Sequence, residues 1–175
     1  MTVLVGYASE HGSTGGVARR IAARLRERGC TVDVRPLAEA PGADCYEAAV
    51  LGSAVHNGAW LTEASDYVRA DTDALGRIPV WLFSVGLARA VGGWFEKHAR
   101  DPEEIMELCR GFDLREHRLL AGALQPEHIP LPGRVFYRLI GGRYGDFRDW
   151  DEIDAWADTI AAGLPASGAP GTASV

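Results

Sequence analysis

Val3-Leu4-Val5-Gly6-Tyr7-Ala8 runs directly into Ser9-Glu10-His11-Gly12-Ser13-Thr14, and a helix-period segment from Val17 to Arg28 follows. The short, nearly continuous apolar run reads as a parallel strand covered on both faces. Val17, Ile21 and Leu25 recur at four-residue spacing, so the segment behind the loop is a helix, with Arg19, Arg20, Arg24, Arg26 and Arg28 on its solvated face. A strand that turns into a helix through a hydroxyl- and glycine-rich loop makes an anion seat. The first N–H groups of the helix lack intrahelical partners and lie at the positive end of its dipole, so a phosphate is held there without Lys or Arg. Ser9, Ser13 and Thr14 add side-chain donors. Ser and Thr also occupy helix starts simply as caps, and the loop taken alone leaves that alternative open.

Two other phosphate loops fit worse. A Walker loop needs Gly-Lys-Ser/Thr at its end, and no Lys precedes Lys97. The dinucleotide fingerprint needs three glycines at set spacing, whereas Gly12, Gly15 and Gly16 stand in another register. What remains suits a mononucleotide.

Strand and helix alternate downstream. Gly29 ends the first helix, Thr31 to Leu37 alternates as an edge-like strand, and Ala48 to Ser53 reads as a buried one. A helix over about Trp60 to Leu75 leads to a fourth strand, Ile78 to Ser84. A helix around Pro102 to Gly111 then leads to a fifth, Leu119 to Leu124. The final helix spans Trp150 to Ala162, with Ile153, Trp156, Ala157 and Ile160 on one face. Residues 1–162 thus read as one domain, and 163–175, small and polar, as a disordered tail. Five strands with intervening helices imply a doubly wound α/β parallel sheet, because each parallel connection crosses over right-handedly. Ligands of such sheets sit at the carboxyl ends of the strands where the winding reverses. That rule brings the loops Ser9 to Thr14, Ser53 to Trp60 and Ser84 to Arg89 to one crevice.

The net charge of −6 argues against a nucleic-acid or anionic-membrane surface and leaves an acidic face for a basic protein partner. Cys30, Cys45 and Cys109 are odd in number and far apart, as expected of reduced thiols in a cytoplasmic protein. No segment approaches the roughly 20 apolar residues of a membrane span. The strand ends lack a carboxylate cluster that could hold magnesium, so no metal site is expected.

The loop set resembles the flavodoxin-like proteins that bind flavin mononucleotide (FMN). Ser9-Glu10-His11-Gly12-Ser13-Thr14 is similar to their Ser/Thr-x-Thr-Gly-x-Thr phosphate loop, with His11 in place of the middle Thr. Within that group the chain resembles the menaquinone-dependent protoporphyrinogen oxidase family and its flavodoxin-domain relatives. The matching places are Tyr7-Ala8-Ser9 through Thr14; Leu51-Gly52-Ser53-Ala54-Val55 with Gly58 and Trp60; Phe83-Ser84-Val85 with Leu87-Ala88-Arg89; and Ala121-Gly122-Ala123-Leu124. His56-Asn57 departs from the relatives' Arg-Tyr, and residues 90–117 carry both signs of charge where the oxidase has a basic insertion.

The resemblance implies a flavodoxin-like five-stranded sheet in the order 2-1-3-4-5, with helices on both faces. It implies an FMN phosphate held by Ser9, His11, Gly12, Ser13 and Thr14. The flavin ring would lie between the backbones of Ala54, Val55, His56, Asn57 and Gly58 and of Ser84, Val85 and Gly86. Trp60 or Trp94 would flank a ring face, the alternative being that either indole packs in the core. The function implied is an FMN-dependent oxidoreductase resembling quinone-linked protoporphyrinogen oxidase of haem biosynthesis, with a quinone or redox-protein partner and a porphyrinogen substrate. His56 as proton donor and Arg89 as carboxylate contact are its catalytic candidates, and each also reads as an ordinary surface residue. One alternative is a flavodoxin-type single-electron carrier without its own substrate, and another is a flavin-free binding or regulatory module. Arg134, Arg138 and Arg143, interleaved with Phe136, Tyr137 and Tyr144, allow at most peripheral contact with the inner face of a membrane, or form an ordinary amphipathic helix.

Overall fold

The computed structural model describes residues 2–56, 58–86, 103–124 and 144–165. Its main sheet carries five long strands: β1 (Thr2–Ala8), β2 (Thr31–Pro36), β3 (Ala48–His56), β5 (Val80–Gly86) and β6 (Leu114–Ala121). They pair in parallel in the order β2-β1-β3-β5-β6, and a short strand β4 (Ala59–Trp60) folds back antiparallel on β3. Counting only the long strands, this is the 2-1-3-4-5 order, and the fold is α/β of the flavodoxin-like type. A separate two-stranded ribbon joins β7 (Ala123–Leu124) to β8 (Gly145–Asp146).

Alternation along each strand explains the nearly continuous apolar runs. Val3, Val5, Val50, Trp81, Phe83 and Val85 face α1 (Ser13–Glu27) and α5 (Trp150–Gly163). Leu4, Ala49, Leu51, Val80 and Leu82 face the opposite side with α2 (Thr62–Ala70), α3 (Thr72–Leu75) and α4 (Glu103–Leu108). A strand buried on both faces has no polar phase to show. On the first face Phe83 meets Trp156 edge-on, with ring centroids 6.1 Å apart. A Cβ at Gly52 would overlap the Phe83 ring, so the glycine is what lets that aromatic lie flat on the sheet.

The arginine face of α1 is not merely solvated. Arg20 pairs with Asp154, and Arg24 and Arg28 share Asp158, so residues spaced by four on α1 meet residues spaced by four on α5. Gly29, at φ 87°, ends α1, and the Cys30 N–H returns to the Leu25 carbonyl at 3.0 Å.

Several boundaries differ from the sequence reading. α1 begins at Ser13, four residues before Val17. The segment expected as one helix over Trp60 to Leu75 is a strand end followed by two helices meeting at Asp71, where Thr72 turns its hydroxyl back onto the Val68 carbonyl. β6 starts at Leu114 instead of Leu119, and Gly122 separates it from β7. α5 runs to Gly163, and Leu164 packs on the core, so the expected tail overlaps ordered chain there. Its residues 166–175 lie outside the described residues, as do Asn57, Arg89, Trp94, Arg134, Phe136, Tyr137, Arg138 and Arg143. Among the described residues no helix is long and apolar enough to cross a membrane, and no group of three His, Cys, Asp or Glu is arranged to hold a metal.

Candidate functional site

The winding reverses between β1 and β3, so the loops at their carboxyl ends diverge to opposite faces and leave a crevice. The loop after β1 forms its first wall. Gly12 sits at φ 83°, a left-handed conformation that favours glycine, and a Cβ there would meet nothing within 4 Å. No side chain caps α1 and no acidic residue stands in its first turn. The first intrahelical bond runs from Gly16 N–H to the Gly12 carbonyl at 2.9 Å, so the Ser13, Thr14 and Gly15 N–H groups precede the helical ladder.

The hydroxyls of this loop divide. Ser9 Oγ is buried and has no hydrogen-bond partner among the described residues. Thr14 is 1% exposed. Ser13 Oγ accepts from Ala123 N–H at 2.9 Å, tying the start of α1 to the start of β7 while its own proton stays available to donate. His11 Nε2 lies 3.9 Å from Glu10 Oε1, and His56 Nδ1 lies 3.9 Å from Glu10 Oε2, so Glu10 sits between imidazoles of the first and second loops. Behind the loop, Arg148 lies over Gly16, where a Cβ would clash with its guanidinium, and stacks on Trp150 at 4.5 Å. Its bidentate hydrogen bonds hold the Asp146 carboxyl below the usual carboxylate range.

The second wall is the β3–β4 hairpin. Val55 pairs with Trp60 and His56 with Ala59, and Gly58 at φ 81° turns the chain. Three polar groups in and beside the hairpin are bonded to the protein. Trp60 Nε1–H donates to Ser84 Oγ at 2.7 Å, Leu61 N–H donates to Ser53 Oγ at 3.0 Å, and Ser53 donates on to the Ala54 carbonyl. Trp60 is 5% exposed, and its indole packs in the core cluster on that side of the sheet.

The third wall is the end of β5. Ser84 and Val85 are buried, Gly86 is half-buried, and a Cβ on Gly86 would touch Val55 at 3.8 Å, so the second and third loops are adjacent. Ser84 Oγ also lies 2.9 Å from His117 Nε2. That separation would suit a nucleophile and its base, but Ser84 is 0% exposed beneath Trp60 and out of reach of a substrate. His117 was not among the residues read from the sequence, because the strand carrying it was expected to begin two residues later. Its signal was the alternation Arg115-Glu116-His117-Arg118-Leu119, polar on both faces and so easily taken for loop.

The three walls fit a flat ligand with one phosphate. The first offers helix-start N–H groups and an unpartnered buried hydroxyl, and the others offer small residues and rigid backbone. A further cavity of about 310 Å³, lined by Arg69, Thr72, Glu107, Leu108 and Gly111, shares no residue with this crevice.

Comparison with known proteins agrees with this geometry. The family model described as Flavodoxin domain matches residues 4–138. No curated protein matches the chain. Among solved structures, oxidised flavodoxin 1 of Bacillus cereus is 16% identical with a TM-score of 0.63, covering 94% of this chain and 100% of its own. A flavodoxin from the domain Archaea is 17% identical with a TM-score of 0.62, covering 94% and 99%. Rubredoxin oxygen:oxidoreductase of Desulfovibrio gigas is 19% identical with a TM-score of 0.55, and the similarity covers 93% of this chain but 36% of that one.

Proposed function

Because the chain belongs to the flavodoxin domain family, whose cofactor is FMN, we propose that it is a flavodoxin-type carrier passing single electrons between redox protein partners. The observation that carries the cofactor reading is the start of α1: uncapped, free of acidic residues in its first turn, and facing a buried Ser9 hydroxyl without a partner. A phosphate supplies what that arrangement lacks, a negative charge and acceptors. The carrier reading is favoured by the correspondence with free-standing flavodoxins along their whole length, against about a third of the Desulfovibrio gigas enzyme.

In this reading the N–H groups of Ser13, Thr14 and Gly15, with the hydroxyls of Ser9, Ser13 and Thr14, hold the phosphate. His11 donates a ring N–H in place of a threonine hydroxyl. The backbone of Ala54 to Gly58 and of Ser84 to Gly86 meets the ring edge, and the fixed hairpin keeps those groups oriented and water out. When bound, the flavin supplies the redox chemistry, accepting electrons singly or in pairs.

A second reading, oxidation of a porphyrinogen with a quinone as acceptor, rests on the Ala121-Gly122-Ala123-Leu124 segment, whose Ala123 N–H is bonded to Ser13. His56 and Arg89 would then face substrate. No comparison singles out that activity.

The test is the visible spectrum after excess FMN and desalting, followed by anaerobic reductive titration. Retained flavin that reduces at two separated one-electron potentials is the expected result. A single two-electron step with quinone turnover favours the oxidase. No retained flavin overturns both.

A further inference from the structure

We propose that His117 is a positioning residue: through Ser84 it anchors the Trp60 indole in the core and thereby fixes the β3–β4 hairpin at the ring edge. The inference rests on the reading that this hairpin carries the ring contacts. Trp60 Nε1–H donates to Ser84 Oγ at 2.7 Å, and His117 Nε2 lies 2.9 Å from the same oxygen. Ser84 is 0% exposed, so its single proton has no water to turn to. Indole nitrogen is a donor only, so the Ser84 hydroxyl accepts from Trp60 and bonds to the imidazole as well, one oxygen linking both rings.

The relay adds side-chain hydrogen bonds between three strands. Trp60 belongs to β4 and stands opposite Val55, Ser84 lies near the end of β5, and His117 is on the neighbouring β6. Because β4 is two residues long, its own ladder gives the hairpin little rigidity, and the indole is its anchor. The Ser53 bond to Leu61 N–H holds only the chain leaving the hairpin. Fixing Trp60 fixes the backbone opposite it, from Ala54 through His56.

The test compares His117→Leu and Ser84→Ala with His117→Gln, whose amide can still hydrogen-bond to Ser84. The first readout needs no flavin: NMR hydrogen exchange of the Trp60 indole N–H, assigned with Trp60→Phe, and of the hairpin amides. Exchange should be slow in the wild type and His117→Gln and about tenfold or more faster in His117→Leu and Ser84→Ala. The second readout is ligand affinity. His117→Leu should weaken riboflavin and FMN by the same factor, about tenfold, the size of one lost buried hydrogen bond. Competition by inorganic phosphate should not change, and His117→Gln should restore ring affinity. Unchanged hairpin exchange in both disruptive variants overturns the proposal, as does an equal loss of phosphate affinity, which would mean a general structural role. If the wild type takes up no flavin, the functional reading fails while the exchange data still decide whether the relay holds the hairpin.

Discussion

In the loop after β1 a serine hydroxyl is buried without a partner among the described residues and a helix begins without a side-chain cap, whereas in the hairpin after β3 the indole, the serine and the Leu61 amide that hold it are all bonded to the protein. In the proposed function the two walls of one crevice divide the work of recognition. A phosphate needs donors that nothing else has taken, so the first wall tolerates unsatisfied groups in the empty protein. A planar ring needs backbone held at a fixed distance, so the second wall is stitched down beforehand. Uncommitted donors cost stability until a ligand arrives, and committed ones stabilise the fold from the start.

The most damaging way to break the first wall is Gly12→Val. The position is open, so no clash arises, but a β-branched residue resists the left-handed backbone at φ 83°. Relieving about 1–2 kcal/mol of strain by moving the loop would misdirect the Ser13 and Thr14 N–H groups. FMN affinity should fall about 100-fold, equivalent to roughly 2.7 kcal/mol, as measured by fluorescence quenching. An unchanged dissociation constant would show that the phosphate does not use this turn.

One substitution, applied to both walls, sharpens the contrast. Ser53→Ala removes the acceptor of Leu61 N–H and should destabilise the flavin-free protein by about 1–3 kcal/mol in urea unfolding. Ser9→Ala deletes a buried hydroxyl that bonds to nothing in the described chain, so it should leave the flavin-free protein equally stable or about 1 kcal/mol more stable. It should also weaken FMN by up to about tenfold. If both alanines destabilise alike, Ser9 has a structural partner and the division between the walls disappears.

How much of this was legible depended on where each residue's partner lies. The helices α1 and α5 could be read because their apolar residues repeat with the helical period, and the strands β1 and β5 because a strand buried on both faces is a nearly continuous apolar run. The start of β6 could not: Glu116 and Arg118 project toward α5, Glu116 accepting from Trp156 Nε1–H and Arg118 lying 5.5 Å from the Trp156 ring. That makes a buried face look polar. The turn from β1 into α1 was readable because it lies in continuous chain. The bonding of the Trp60 indole was not, since its partner Ser84 comes from a distant segment. The pairing of the α1 arginines was hidden for the same reason, as only the packing of α1 on α5 brings Asp154 and Asp158 beside them.

Those pairs supply the control farthest from the crevice and the smallest expected effect. Hydrogen bonds from Arg28 and then Arg24 hold the Asp158 carboxyl well below the usual carboxylate range. A carboxyl with a depressed pKa in the folded state adds stability above its unfolded value, near 4 for a free aspartate. It loses that stability as pH falls from there through the folded value. Side chains about a third to half exposed are screened by water and salt, so the contribution at neutral pH is small. Asp158→Asn should therefore lower Tm slightly at pH 7 and low salt. The difference should shrink in high salt and fade in acid below about pH 4, where the carboxyl of the unfolded chain takes up a proton that the folded one still resists. FMN affinity should not change, because the α1–α5 clasp touches neither wall. A Tm difference indifferent to pH and salt would mean that Asp158 acts through packing rather than charge. A change in FMN affinity would mean that the helix pair sets the geometry of the α1 start, and the first wall would then be as dependent on distant stitching as the second.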